Sequence, residues 1–440
     1  MFKYDVIIVG ACTSGTYFSN LLALEGLKVL VIDKEIGSIT ISKRLDIIHF
    51  TRDSYKDFNI EEAKEGDEDF VYNFTLVLSK SGTNEHPKRE TIDVDVLHLP
   101  LFIKKLRKVA ISNGVEFKFN EAFDSLIYEE NRIKGIKTKE GNEYYSNMVI
   151  DASGIPSVIR RNIKDDYIEN FEIGPKDKFY VLLKYVKLKD ENLKITHSTS
   201  WPFYKGWIAP QHNKDGAIIG VGASNSFEYA RKCMAYFEKN IPLPEYELEY
   251  EELGCTPYRR PPFSFVTDGF MVIGDAACLT KPFNGEGIPS SWVQCTPAAK
   301  IIKEALSDDN YPTKERLWEV NTLYQRNEGA LFANQRAMLI GAVNMSKEDN
   351  DFLFRNRIVF KDDEEEENKK VISTLIKGVI KKEFSFYGFK NLVKGFINGS
   401  KLEKLYKKYP ENPIDYFNWK KKADKLWNKV GTMVDTAIDL

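Results

Sequence analysis

Residues 4–35, YDVIIVGACTSGTYFSNLLALEGLKVLVIDKE, read as strand, tight turn, helix and strand. Val6, Ile7, Ile8 and Val9 form a short apolar run suited to a parallel strand buried on both faces, and the turn Gly10-Ala11-Cys12-Thr13-Ser14-Gly15 follows at once. Gly10 permits the tight turn, and Gly15 lets helix and strand pack closely. The helix start then offers free backbone N–H groups and the positive end of its dipole to a pyrophosphate. Val29 to Ile32 make the second strand; Asp33 at its end is placed to accept hydrogen bonds from a ribose hydroxyl, with Lys34 beside it as a further binding residue. The middle position of the glycine pattern, where backbone approaches the pyrophosphate, is Cys12, whose small side chain still fits and is read as space-filling. A strand before, a helix after and an acid about twenty residues on make this a dinucleotide site rather than an ordinary βαβ unit with a glycine-rich turn.

The chain has 440 residues, 42% of them hydrophobic, so a large core and roughly two or three domains are expected. No stretch approaches the length of a transmembrane helix, and the N-terminus enters a strand with no room for a signal peptide, so a cytoplasmic location is expected. Cys12, Cys233, Cys255, Cys278 and Cys295 are scattered without a CxxC pair, which argues against structural zinc, an iron–sulfur cluster or a disulfide framework; no metal site is expected. The formal net charge of −2 suggests no nucleic-acid partner.

Beyond Glu35 the pattern weakens, and residues 36–95 are assigned partly to a second domain. Leu99 to Asn113 reads as an amphipathic helix, with Leu101, Phe102, Leu106 and Val109 near one face and Lys104, Lys105, Arg107 and Lys108 on the other. Val115 to Phe119 is a strand, and turn signals at 129–131 and 140–142 divide the run from Ser125 to Met148 into a three-stranded meander. Met148-Val149-Ile150 is another buried strand, leading into Asp151-Ala152-Ser153-Gly154; a glycine at a strand's carboxyl end is where ligands sit in open α/β sheets, although a plain strand-to-helix turn has the same look. To about Pro262 the chain reads as strands with long connections. Gly220-Val221-Gly222, with no strong helix after it, reads as a sheet edge or turn. From Gly269 the first domain resumes: strand Phe270 to Ile273, then GDAACLTKPFNGEGI over 274–288, then an amphipathic helix to about Leu306. Asp275 suits a sugar-alcohol hydroxyl, and the bare N-terminus of the second helix suits negative charge on a reduced ring system.

These three segments, in this order and spacing, resemble the geranylgeranyl reductase family of flavoproteins, within the larger group of aromatic-ring hydroxylases and flavin-dependent halogenases. The resemblance covers roughly residues 1–305. It implies an α/β fold: a Rossmann-like FAD-binding domain of glutathione-reductase type and hydroxylase-like topology, an inserted antiparallel β-sheet substrate domain, and a C-terminal helical region. The expected division is 1–45, 96–165 and 262–305 for FAD, 46–95 and 166–261 for substrate, and 306–440 for the helices. The resemblance places the FAD diphosphate at Gly10 to Gly15, the adenosine ribose at Asp33, and the ribityl chain and flavin at Gly274 and Asp275. Gly154, Pro282, Gly285, Gly287 and Ile288 complete the expected set. Arg44 or Lys43 either contacts FAD, as basic residues do in relatives, or is simply solvated.

Pro282 to Ile288 is closer to the reductase form PxxGEGI than to the hydroxylase form, which usually has glutamine before the last glycine. Tyr204-Lys205-Gly206-Trp207-Ile208-Ala209-Pro210 is similar to the reductases' YxWxFP segment, with one extra residue between Tyr and Trp and Ala209 in place of Phe. There Tyr204, Trp207 and Pro210 are expected to line an apolar substrate cavity, the alternative being plain strand packing. Residues 36–48 lack the cysteine that archaeal members often carry after the second strand. The implied reaction is FAD-dependent reduction of carbon–carbon double bonds in an isoprenoid lipid, with hydride from reduced flavin and a proton from an acid for which Tyr204 is a candidate. With one dinucleotide fingerprint, electrons must come from a transiently bound NAD(P)H or a ferredoxin-like protein. The rivals are a flavin monooxygenase or halogenase acting on a small aromatic or apolar substrate, and a flavin-binding protein without turnover.

Past Leu306 the periodicity is helical, broken by the acidic run Asp362 to Glu367. From Lys369 onward sixteen lysines face seven acids, and Phe384, Phe386, Tyr387, Phe389, Phe396, Tyr406, Tyr409, Tyr416, Phe417, Trp419 and Trp427 are interleaved. Such a region rests on an anionic membrane surface, docks an acidic electron donor, or consists of helices whose lysines are their solvent face.

Overall fold

The computed structural model describes residues 4–35, 47–81, 88–201, 205–211, 215–283, 285–307, 310–342, 345–358 and 368–430. Its first sheet has six strands in the order Val266–Thr267, Phe270–Val272, Met148–Asp151, Val6–Val9, Val29–Asp33 and Glu116–Phe119. All neighbours are parallel except the first pair. Ile8 stands opposite Val31 on one side and Ile150 on the other, and Val6–Val9 and Met148–Asp151 are buried throughout. Continuous apolar runs are what two-sided burial selects, at about 1.5–3 kcal/mol for each fully buried Val or Ile. The helices Thr13–Leu24, Leu99–Ser112 and Ile288–Ala305 pack with the first of these at the centre. The antiparallel meander Phe123–Glu129, Arg132–Thr138 and Glu143–Tyr145 lies against the strand Met148–Asp151.

The second sheet has eight strands in the order Tyr246–Pro257, Lys178–Leu188, Gly216–Ser224, Lys205–Pro210, His197–Trp201, Phe70–Ser81, Lys88–His98 and Ile47–Thr51. It is antiparallel except at one junction, where His197–Trp201 runs parallel to Phe70–Ser81. Residues 47–98 therefore supply one end of the sheet and residues 178–257 the other.

Gly220-Val221-Gly222 is neither an edge nor a turn. It lies in Gly216–Ser224, a fully buried strand flanked on both sides. A helix does follow it, Phe227–Asn240, started by the Ser226 side chain accepting from the Tyr229 N–H at 3.1 Å. The glycines make room for rings: a Cβ at Gly220 would lie 2.1 Å from the Trp207 indole, and one at Gly222 2.1 Å from the Phe179 ring.

The return to the first sheet is pinned by Glu169, which accepts two bonds from Arg260, at 2.7 and 2.9 Å, and one from the Phe263 N–H at 2.7 Å. The C-terminal helices are Lys314–Tyr324, Ala330–Ala342, Lys347–Arg355, Asn368–Ile380, Phe386–Tyr406 and Tyr416–Val430. Part of this region closes on the cofactor-side core through buried aromatics. Tyr409 donates to the Phe263 carbonyl at 2.9 Å, Trp318 donates to the Pro410 carbonyl at 3.0 Å, and the Trp419 ring lies 4.7 Å from that of Tyr409. The acidic run 362–367 lies outside the described residues.

Candidate cofactor site

The carboxyl ends of the parallel strands meet two helix starts. Gly10 takes φ +114°, and a Cβ there would stand 2.2 Å from the Ala152 carbonyl oxygen; one at Gly15 would stand 2.0 Å from the Gly10 carbonyl oxygen. Both contacts are backbone to backbone, so no side chain can move aside to admit a larger residue. The helix Thr13–Leu24 has no side-chain cap, and Cys12 before it is exposed, so the first N–H groups are available to a ligand. Ala11 is engaged inside the protein instead: its N–H donates to Asp33 Oδ2 at 2.6 Å, and its carbonyl accepts from Thr16 at 2.9 Å and Arg107 at 2.8 Å. Asp33 Oδ1 accepts from the Glu35 N–H at 2.9 Å. Lys34 extends into solvent near Glu35, and Arg44 and Lys43 lie outside the described residues.

Arg107 is the residue the sequence reading placed on the solvent face. Its guanidinium instead reaches back over the phosphate loop, stacked 4.7 Å from the centre of the Phe119 ring, with a buried Nε that finds no acceptor. Burial lowers its pKa, opposed by Asp33. The available signal was its being the single arginine among the lysines of its helix, since a planar fork suits phosphate better than a point charge does.

The second and third motifs close the other end. A Cβ at Gly274 would lie 2.8 Å from Ser14 Oγ, and Ser14 accepts from the Ser291 hydroxyl at 2.8 Å. The helix Ile288–Ala305 begins at Gly287 without a side-chain cap, and a Cβ at Gly287 would lie 3.9 Å from Asp275 Oδ1. Thr280 donates to Asp275 at 3.0 Å. Burial pushes the Asp275 carboxyl up to about 6, against that hydrogen bond, which pulls it down. Ser14, Gly274, Asp275, Gly287 and Ser291 thus form one cluster. Pro282 is buried and Gly285 exposed in the connecting loop, which Lys281 holds through its ion pairs to Glu286 and Glu328 at 3.6 and 3.4 Å.

Asp151 has its carboxylate filled by the Ser153 N–H and hydroxyl and by the Ile159 and Arg160 N–H groups. Gly154 forms the turn above it, accepting from the Ser157 N–H at 2.9 Å. Arg160 and Ser157 both donate to the Ala276 carbonyl, at 2.8 and 3.1 Å, tying this turn to the Gly274–Asp275 segment.

Tyr204 lies outside the described residues. Strand alternation sends Trp207 and Pro210 to opposite faces of the eight-stranded sheet, so they do not line one surface. The even-numbered face of Lys205–Pro210 packs on the helix Phe227–Asn240, as the 2.5 Å approach of a Gly206 Cβ to the Phe237 ring shows, and the Pro210 carbonyl accepts from Tyr72 at 2.6 Å. Trp207, Gly220, Leu183 and Glu252 share a row on the other face, and Phe179 and Thr256 share another row on that face. The Thr256 hydroxyl lies 2.9 Å from that of Thr280, so the face carrying Trp207 is the one that reaches the Asp275 cluster.

Residues 3–244 match the FAD binding domain family. The chain belongs to that family. It is similar to a digeranylgeranylglycerophospholipid reductase of Sulfolobus acidocaldarius, at 23% identity over 96% of this chain and 97% of that protein. Among solved structures it is similar to a geranylgeranyl bacteriochlorophyll reductase-like protein of Thermoplasma acidophilum, with a TM-score of 0.70, 18% identity, and coverage of 86% of this chain and 98% of that one. The halogenase PltM, solved with phloroglucinol and FAD, aligns with a TM-score of 0.62 and 13% identity over 97% of this chain and 96% of its own. The chain is an FAD-dependent oxidoreductase, similar over nearly its whole length to a reductase of geranylgeranyl lipids.

The cradle fits FAD. Two uncapped helix starts and the unpartnered Nε of Arg107 offer donors to an extended anionic ligand, the tight packing at Gly10 and Gly15 leaves the loop without side chains there, and Asp33 and Asp275 offer acceptors to its two sugar-like parts. The family match ends before the Gly274–Ile288 segment, yet the structure brings that segment onto Ser14 of the first motif.

Proposed function

We propose that this enzyme reduces carbon–carbon double bonds in an isoprenoid lipid. The observation that carries the reading is the single sheet face holding Trp207 and Thr256, which meets the cofactor cluster through Thr280 and Asp275. The name of the Sulfolobus relative supports an isoprenoid substrate.

FAD, when bound and reduced, supplies the hydride. The chain's residues hold and orient the reactants. Gly10 to Gly15 and Arg107 would hold the diphosphate, Asp33 the adenosine ribose, and Asp275 the ribityl hydroxyls, with Gly154, Pro282, Gly285, Gly287 and Ile288 shaping the remainder. Trp207 lies flat across Gly220 and offers an aromatic floor to an apolar chain. An isolated alkene carries little charge to stabilise, so alignment and exclusion of water are the main contributions of this face. Tyr204 is our candidate for delivering the proton. Electrons arrive from a transiently bound NAD(P)H or a ferredoxin-like protein.

The test is anaerobic reoxidation of the reduced protein with and without unsaturated isoprenoid lipids, followed by flavin absorbance and lipid mass. Lipid-dependent reoxidation with a gain of two hydrogens is expected. A flavin that stays reduced until oxygen enters would overturn the proposal in favour of a monooxygenase or halogenase.

A further inference from the structure

The aromatic and lysine-rich C-terminal segment divides into two parts. Tyr406, Tyr409, Tyr416 and Trp419 are buried against Phe263 and Trp318. The turn between the helices Asn368–Ile380 and Phe386–Tyr406 is different. Ile380 is 75% exposed, Phe386 69% and Tyr387 57%, and Ile372 and Ile376 extend the exposed stripe along the first helix at four-residue spacing. Lys377, Lys381, Lys382 and Lys390 are exposed around it.

This tip is firmly built. Phe384, between the exposed residues in sequence, is buried and stacked 5.1 Å from Phe352 in a small separate core with Met345, Leu353 and Leu375. Buried Asp349 accepts from the Ser385 N–H at 2.7 Å and hydroxyl at 2.6 Å, and Ser385 caps the second helix by accepting from the Gly388 N–H at 2.8 Å. Glu383, the one acid of the turn, pairs with Arg355 at 3.8 Å. Lys382 takes φ +60°, a conformation that favours glycine, so a cation stands where glycine would be less strained. A rigid turn that holds Ile380, Phe386 and Tyr387 in water is costly unless something covers them.

We propose that this helical hairpin is a membrane-surface anchor, with Ile376, Ile380, Phe386 and Tyr387 entering the headgroup layer of an anionic bilayer and Lys377, Lys381, Lys382 and Lys390 contacting its phosphates. Charge selects the partner: lysines ring the apolar tip, and the chain from Lys369 onward carries a surplus of positive charge. Among the described residues no helix is long and apolar enough to cross a membrane, and the contact proposed is with the surface. The anchor goes beyond the reductase reading and stands apart from the cofactor site.

The test is flotation of the full-length, FAD-loaded protein with vesicles of phosphatidylcholine alone or mixed with phosphatidylglycerol, at low and high salt. We expect binding to the anionic vesicles that weakens with salt. The double variant Ile380→Asp, Phe386→Asp should partition at least about tenfold more weakly, and Lys381→Glu, Lys382→Glu should remove most of the salt dependence. Ile414→Asp, at another exposed isoleucine, should leave binding unchanged. Flavin content, equal in all variants, reports folding. Equal flotation of every variant would overturn the proposal. So would absence of vesicle binding together with self-association, or with salt-sensitive binding to an acidic ferredoxin, lost in the same variants.

Discussion

Glycine does different work in the two sheets. At Gly10 and Gly15 the neighbouring atoms are backbone carbonyls, and nothing can yield. At Gly220 and Gly222 the neighbours are the Trp207 and Phe179 rings, which can turn away. A side chain added in the first place should disrupt the proposed cofactor site; in the second it should displace the rings of the other sheet.

Gly15→Val is the sharpest way to break that contrast. Meeting the Gly10 carbonyl, it should cost more than about 4 kcal/mol locally and leave protein without flavin, read from absorbance after gel filtration. Retained flavin would mean that the pyrophosphate lies elsewhere. Gly220→Val should keep the flavin and displace the indole, lowering lipid-dependent reoxidation about 10–100-fold. Loss of flavin in this variant as well would erase the distinction between the sheets. Arg107→Met removes the guanidinium with its unpartnered Nε and should weaken FAD about 10–100-fold in equilibrium titration, with Arg107→Lys in between.

Asp275 gives a pH signature. Its folded pKa, about 6, is raised above that of an exposed Asp, so the folded form gains a proton first; the resulting stability is full at low pH and is lost as pH rises through about 6. A flavin hydroxyl donating to the carboxylate has the opposite preference. FAD should therefore bind about tenfold more weakly at pH 5 than at pH 7, and Asp275→Asn should flatten the profile. The smallest effect is expected at Cys12, whose exposed side chain leaves room: Cys12→Gly should change stability by less than about 0.5 kcal/mol and leave flavin content unchanged.

The turn proposed to hold phosphate was legible because backbone contacts dictate residue identity at Gly10 and Gly15. The segment from Gly274 to Ile288 was legible for a different reason, the positive φ at Gly274 and Gly285 that favours glycine, and its meeting with Ser14 follows from strand order. Arg107 was hidden because amphipathic periodicity sorts residues into faces without saying that the polar face of this helix overlooks the phosphate loop. Gly220 and Gly222 were misread because two close glycines look like a turn unless the cross-strand rings that fill their space are known. Phe227–Asn240 was missed because its Tyr, Phe and Cys content dilutes the helical pattern. Among the tail aromatics, composition could not separate buried Tyr409 from exposed Phe386.

The one parallel junction of the eight-stranded sheet bears on how the chain folds. His197–Trp201 pairs with Phe70–Ser81 across more than a hundred intervening residues, which include two strands of the parallel sheet and the whole meander. Closing so distant a pair carries a large entropic penalty before any ladder bond forms, and such contacts slow folding. The parallel sheet shares this burden, since Val6–Val9 pairs with Met148–Asp151 and that strand with Phe270–Val272 over comparable or longer separations, so neither sheet can close from local contacts alone. Refolding followed by tryptophan fluorescence and by recovery of FAD binding should then be slow, with both signals returning together.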